Sequence, residues 1–307
     1  MTRPARRGGE RSFGWYGPVV SNAGWDLAGR LIVITGANTG IGRATAECLA
    51  TRGATVVLAC RSEERTRPVL DRIVARGGDA LFVPLDLGAF ASVRAGAALI
   101  DAIGRPIDVL VNNAGVAGQR GLTADGFELA FGTNHLGHFL LTLLLSSRLR
   151  AADRGRIVNV SSQAHYKARG IDFDAVRRRT PSITGLPEYA VSKLANVLFT
   201  RALARRIGPS GVKSYALHPG TVASDAWRRM PWPIRPLIKL GMMSNEDGAK
   251  TSIYCATSPD VAGEDGGYYD QCRPAEPSRV AADAALADDL WNRSVQFTGA
   301  PDSIAAG

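Results

Sequence analysis

Tyr189 and Lys193 stand four residues apart in EYAVSKLANVLFTRALARRIG, residues 188–208. On a helix that spacing places both side chains on one side, about 5–6 Å apart at Cβ, so Lys193 can bring its ammonium to the Tyr189 phenol. A phenol titrates near ~10 in water, and a cation within roughly 4–6 Å favours phenolate and lowers that value by about 1–3 units. The pair has the makings of a general acid and base. Packing does not require it, because Leu194, Val197, Leu198, Ala202 and Leu203 already recur at helical spacing and leave Arg201, Arg205 and Arg206 outside.

A second chemical signal is TGANTGIG, Thr35 to Gly42, which follows the apolar run RLIVITG and opens a helical pattern. Its glycines let the backbone turn tightly and approach a phosphate, while the helix behind them points N–H groups and its positive dipole end at the anion. The spacing is GxxxGxG rather than the commoner GxGxxG.

The elements that must position these groups are plain in the hydropathy pattern. RLIVITG, ATVVLAC, ALFVPLD, IDVLVNN, GRIVNVS and VKSYALH are short, β-branched, nearly continuous apolar runs, as parallel strands buried on both faces require; GGYYD reads as a last short strand. Between them lie the helical stretches IGRATAECLATRG, EERTRPVLDRIVARGG, FASVRAGAALIDAIG, DGFELAFGTNHLGHFLLTLLLSSRLR and the YAVSK helix. Pro68 is read as a tolerated first-turn proline. Strict alternation predicts an α/β fold: a single doubly wound, mostly parallel sheet of about seven strands with helices on both faces. In such sheets ligands bind beyond the carboxyl ends of the strands.

Composition narrows the function classes. The 307 residues, 45% hydrophobic, suit a globular chain, and no apolar run reaches the ~20 residues of a membrane-spanning helix. Residues 1–27, rich in Gly, Arg and Pro, read as an N-terminal arm with no signal peptide. Cys48, Cys60, Cys255 and Cys272 are scattered without metal-ligand spacing, so free thiols in a cytoplasmic protein are expected and no metal site is. The net charge of +9 comes mostly from dispersed arginines, which fits a solvated surface and an anionic cofactor rather than nucleic acid.

The ordered set TGANTGIG, NNAG (Asn112 to Gly115), Asn134 in NHLGHF, Ser162 closing GRIVNVSS, YAVSK, and HPG (His218 to Gly220) resembles the motifs of the classical short-chain dehydrogenase/reductases over roughly 26–299. ACRS, GFELAFGTNHLGHFLLTLLL and CRPAEPS…LWNRS resemble the retinol dehydrogenase branch most. The resemblance implies a Rossmann-like domain over 28–299, a substrate lid over about 223–247 and a C-terminal tail over 300–307. It implies that Tyr189 gives a proton to a carbonyl oxygen or takes one from an alcohol while hydride moves to or from nicotinamide. Lys193 then lowers the tyrosine pKa and bonds the nicotinamide ribose, Ser162 holds the substrate oxygen, and Asn134 organises a water near Lys193. Ser162 is chosen over Ser161 by its place in the motif.

For the cofactor, the resemblance implies contacts from Gly36, Asn38, Thr39, Gly40, Ile41 and Gly42. Asn113, Ala114 and Gly115 line the site, Asp86 and Leu87 meet the adenine, and Pro219, Gly220, Val222 and Ser224 hold the nicotinamide end. A carboxylate near the end of the second strand holds a ribose 2′-hydroxyl in NAD enzymes, whereas arginine accommodates a 2′-phosphate. This chain has Arg61 and Ser62 there, so NADP(H) is expected over NAD(H). Asn112 is equally readable as a structural amide, Asp86 as a turn former, and His135, His138 and His165 as core or rim residues. Ser162 and Tyr189 lie 27 positions apart, a longer gap than the family's usual one, with an insertion at the mouth of the site.

DAWRRMPWPIRPLIKLGMMSNED carries Trp227, Met230, Trp232, Ile234, Leu237, Leu240, Met242 and Met243, apolar walls suited to a lipophilic ketone, aldehyde or alcohol. The same stretch also fits a membrane-surface contact or a homo-oligomer interface. Beside the enzyme stands the alternative of a non-catalytic NADP(H)-sensing or scaffold protein on the same fold. The intact Asn134, Ser162, Tyr189 and Lys193 set speaks against it, because a binder needs no proton donor.

Overall fold

The computed structural model describes residues 26–207, 210–220 and 243–301. All seven predicted strands form: β1 Leu31–Thr35, β2 Thr55–Cys60, β3 Asp79–Pro84, β4 Val109–Asn112, β5 Arg156–Val160, β6 Lys213–His218 and β7 Gly267–Asp270. A two-residue β8, Arg273–Pro274, turns back antiparallel and makes the sheet eight-stranded, in the order β3-β2-β1-β4-β5-β6-β7-β8. The other pairings are parallel. Chain order reverses between β1 and β4, and there the crevice for a ligand opens.

Because side chains alternate across a strand, each central strand feeds two cores. Leu31, Val33, Val57, Leu110 and Ile157 face helices α3 (Phe90–Asp101), α5 (Gly137–Leu144), α7 (Leu186–Ile207) and α9 (Ala284–Thr298). Ile32, Ile34, Val56, Leu58, Val111 and Val158 face α1 (Gly40–Thr51), α2 (Glu63–Ala75) and α8 (Asn245–Thr257). The side chain of Arg156, buried at the start of β5, donates to the carbonyls of Cys255 (2.9 Å) and Ser258 (2.8 Å), placing a cation at the C-terminal end of α8.

Two local expectations are corrected, and two helices are added. Pro68 is the sixth residue of α2, not a first-turn residue; the carbonyl it leaves without a helical donor belongs to exposed Glu64, where water can serve. The long stretch 125–150 is not one helix. Its start is a turn closed by Thr123 N–H to the Phe127 carbonyl (2.8 Å), followed by α4 (Leu129–Phe131), a π-helical turn (Gly132–Leu136), α5, and α6 (Ser146–Arg150). Helices α8 and α9, which the apolar pattern did not single out, are capped by Ser244, accepting from Asp247 N–H, and by Asp283, accepting from Ala285 and Leu286 N–H. The first turn of α8 occupies the end of the predicted lid; residues 221–242 lie outside the described residues, as do 1–25 and 302–307. Leu27 and Ala300, assigned to the arm and the tail, are buried against the two cores.

Candidate active site

The glycine turn sits where β1 ends. Gly36 (φ +66) and Gly40 (φ +58) hold backbone conformations that a side chain resists. A Cβ at Gly42 would stand 2.4 Å from Asn113 Nδ2 and 2.5 Å from the Gly36 carbonyl, so only glycine lets α1 start this close to the sheet. Thr39 is the extended N-cap residue, Asn38 precedes it, and Gly40 and Ile41 open the helix, with no acidic side chain in the first turn. A phosphate fits this cradle: backbone N–H groups converge and no carboxylate opposes the anion.

Thr35 and His138 organise the neighbouring NNAG loop; His138 is the buried residue expected of it, and Thr35 carried no expectation beyond its place in the glycine motif. His138 Nδ1 lies 2.9 Å from the Asn134 carbonyl, which can only accept, so Nδ1 carries the proton. Burial lowers the His138 pKa to about 4, leaving Nε2 as an acceptor for the Thr35 hydroxyl at 2.8 Å. Thr35 Oγ1 then accepts from both Asn113 N–H and Ala114 N–H (3.0 Å each). Asn113 Nδ2 donates back to the Thr35 carbonyl at 2.8 Å. The readable signal was a threonine closing a strand before a glycine turn. Asn112 is a structural amide, donating to Asn159 Oδ1 (2.8 Å) on the paired strand and to Thr142 Oγ1 (3.0 Å) on α5.

Asn134 lies in the π-helical turn, a feature common at functional sites. Its Oδ1 accepts from Val116 N–H (2.8 Å), and its Nδ2 donates to the Val116 carbonyl (3.0 Å) and Ser192 Oγ (2.9 Å). The side chain therefore pins the loop after NNAG to the YAVSK helix. At Gly115 a Cβ would sit 3.2 Å from Asn134 Oδ1 and 3.6 Å from Lys193 Nζ, so this glycine lies over both.

Helix α7 brings Tyr189 and Lys193 onto one side, with the Lys193 ammonium 5.5 Å from the centre of the Tyr189 ring. Lys193 is buried, donates to the Val160 carbonyl at 2.8 Å, and has its pKa lowered to about 8 by loss of water. Tyr189 corrects a simple expectation. Burial of its hydroxyl raises the phenol above its ordinary value, and the opposing influence is a side-chain hydrogen bond with Ser162 rather than Lys193. The reason is geometric: the ammonium faces the ring and the β5 carbonyl. Ser162 and Ser161 point apart, as adjacent residues at a strand end do. Ser161 Oγ donates to the Lys193 carbonyl (2.7 Å), which leaves Ser162 beside Tyr189.

The remaining positions ring this centre. Arg61 is exposed just past β2, and Ser62 caps α2, its Oγ accepting from Arg65 N–H at 3.3 Å. Asp86 does form a turn, accepting from Gly88 N–H at 2.9 Å, and Leu87 is buried beneath it. Past β6, Pro219 leads to Gly220 (φ +87), where a Cβ would stand 2.6 Å from Met243 Sδ. The chain thus leaves for residues 221–242 and returns from them at one point on the site's rim. Val222 and Ser224 lie outside the described residues. His135 is a core residue, its Nε2 2.9 Å from Ser294 Oγ, with its pKa pushed by burial to about 3. The sequence pattern also missed the ion pair between Arg43 of α1 and Glu246 of α8 (3.4 Å), which ties the helix behind the glycine turn to the one following residues 221–242.

Comparison with known proteins agrees with this geometry. Residues 30–174 match the short chain dehydrogenase family model. Human retinol dehydrogenase 11 is 43% identical over 281 residues, covering 90% of this chain and 87% of that protein. Mouse retinol dehydrogenase 12 is 40% identical, covering 89% and 87%, and human retinol dehydrogenase 13 is 39% identical, covering 89% and 86%. Among solved structures, an uncharacterised protein from Mycobacterium paratuberculosis superposes with a TM-score of 0.73 at 35% identity, covering 90% of this chain and 98% of that one. A structure described as an NAD(P)-dependent gluconate 5-dehydrogenase from Beutenbergia cavernae with bound NADP gives 0.64 at 29% identity, covering 80% and 96%. A glycine cradle at the switch point, a tyrosine and lysine on one helix face and relatives aligned along nearly the whole chain lead to one assignment: this protein is an oxidoreductase of the short-chain dehydrogenase/reductase family, in its retinol dehydrogenase-like branch.

Proposed function

We propose that the protein is an NADP(H)-dependent dehydrogenase/reductase that interconverts the carbonyl and alcohol of a lipophilic small molecule, with Tyr189 as general acid and base. The observation that carries this reading is the meeting of Tyr189, Ser162 and Lys193 beside the glycine cradle. The bound nicotinamide supplies or accepts the hydride. Gly36, Asn38, Thr39, Gly40, Ile41 and Gly42 would hold its phosphates, Asp86 and Leu87 its adenine end, and Asn113, Ala114, Gly115, Pro219 and Gly220 its nicotinamide end. Arg61 and Ser62 would receive a 2′-phosphate.

Ser162 Oγ orients the substrate oxygen toward the Tyr189 hydroxyl. The raised phenol pKa keeps that hydroxyl protonated at neutral pH, the state that carbonyl reduction needs. Lys193, with a pKa near 8, still carries its proton at pH 7 and keeps a positive charge 5.5 Å from the centre of the ring that must become phenolate in the reductive direction. The retinol dehydrogenase names of the relatives support a lipophilic substrate. No described helix is long and apolar enough to cross a membrane, and the four free cysteines fit a reducing cytoplasm.

The test follows NADPH oxidation at 340 nm against lipophilic ketones, aldehydes and quinones. Tyr189→Phe should lose about 10²–10⁴-fold in kcat while NADPH binding persists. Arg61→Ala should weaken NADPH roughly 10–100-fold and leave NADH nearly unchanged, as expected for the loss of a charge-assisted contact. Full activity in the tyrosine variant would remove the proton-transfer role, and an unaltered cofactor preference in the arginine variant would remove the NADP assignment.

A further inference from the structure

His165 lies on the one-turn 3-10 helix Gln163–Lys167 that begins at Ser162. It is fully buried, and both of its ring nitrogens are engaged. Nδ1 lies 2.7 Å from the Ser162 carbonyl, an acceptor only, so Nδ1 carries the proton. Nε2 accepts from Ser278 N–H at 3.1 Å, so the ring is the neutral Nδ1–H tautomer. The ring lies tilted by 39° against Tyr166 with centroids 4.0 Å apart and meets Tyr268 edge-on at 4.9 Å. Tyr166 in turn donates its hydroxyl to the Glu276 carbonyl, and Ala275 N–H donates to the Tyr268 carbonyl at 2.8 Å. The segment 275–278 is therefore docked on the very turn that begins at the serine beside Tyr189.

Resting on the oxidoreductase reading above, we propose that His165 is a positioning residue: its neutral imidazole ties the Ser162 backbone to segment 275–278, and the placement of the serine hydroxyl against Tyr189 depends on that tie. A proton on Nε2 would turn an acceptor into a donor facing Ser278 N–H and break the link. Burial opposes that proton and lowers the His165 pKa. The titratable and charged groups around the ring are Tyr166 on the same turn, His218 at the end of β6, Tyr268 and Asp270 on β7, and Glu276 on the docked segment.

Two variants of the whole chain test this, assayed with the best substrate from the carbonyl panel. His165→Phe keeps a ring for Tyr166 and Tyr268 but removes both hydrogen bonds; His165→Gln can still donate at one end and accept at the other. The expected result is a kcat about 10–100-fold lower in His165→Phe, with KM and NADPH affinity within about twofold, and partial recovery in His165→Gln. Wild-type kcat should fall on the acid side below the ordinary imidazole range, and His165→Gln should lack that fall. A kcat in His165→Phe equal to wild type overturns the proposal, as does a joint loss of kcat and NADPH affinity. Persistence of the acid fall in His165→Gln assigns it to another group, such as His218 or His138, and also overturns the proposal; this profile decides the matter should His165→Phe not fold. Absence of wild-type turnover on any carbonyl overturns the oxidoreductase reading and this inference together, whereas the preceding outcomes leave that reading standing.

Discussion

Lys193 is a costly residue to bury. Its pKa of about 8, against 10.5 for a solvated lysine, means that between those values the unfolded chain holds a proton that the folded protein does not. Folding therefore loses stability as pH falls from 10.5 toward 8 and carries the full cost below it, about 3 kcal/mol by linkage. Lys193→Met removes that cost and gives up the bond to the Val160 carbonyl, worth about 1 kcal/mol, while Asn196 Nδ2 keeps that carbonyl satisfied at 3.2 Å. The variant should be more stable than wild type by roughly 1–2 kcal/mol at pH 7 in urea titration, yet inactive. A loss of stability would show that burial of the ammonium is not destabilising here. Such a trade fits a site maintained for chemistry at the expense of stability.

At the scale of elements, the strands were legible because burial on both faces writes them as unbroken β-branched runs, and the candidate site residues because their motifs follow one another in a fixed order, at strand ends for the glycine turn, NNAG and Ser162 and on helical turns for Asn134, Tyr189 and Lys193. What was not legible depends on contacts between distant segments. The π-helical turn at Asn134 is stabilised by Val116 and Ser192, neither of which shares its local pattern. The tie from Thr35 to His138 joins residues 103 positions apart. Helices α8 and α9 did carry local cap signals, Ser244 with Glu246 and Asp247, and Asp283 with Gly299 in the left-handed conformation, but their apolar faces are thin. Gly137 marks where α5 touches the loop after β3: a Cβ there would lie 2.4 Å from the Leu87 carbonyl. Gly137→Ala should destabilise by about 1–3 kcal/mol, because backbone must move, and should weaken NADPH binding through the displaced Asp86–Leu87 pair. Unchanged urea midpoint and NADPH affinity would show that the helix and loop separate freely.

Over the whole molecule, the buried imidazoles set an acid boundary. His138 and His135 have folded pKa values of about 4 and about 3, below the ordinary 6.5. Their contribution is intact above pH 6.5 and is lost as pH falls toward those values, since the unfolded chain takes up protons that the folded one refuses; His138 alone accounts for up to about 3 kcal/mol. Glu128, its carboxyl raised by burial, works in the opposite direction, taking up its proton in the folded state at a higher pH than in the unfolded chain. The melting temperature should drop between pH 7 and pH 4.5, and a flat profile would mean that the folded protein accepts these protons. The contact of Gly220 with Met243 has a different consequence. Gly220, just past β6, and Met243, just ahead of α8, meet in the described structure, so the scaffold itself brings the chain back beside the end of the strand it left. A side chain placed at Gly220 would therefore push on the approach to α8 as directly as on the end of β6, so that strand end and that helix start behave as a single joint.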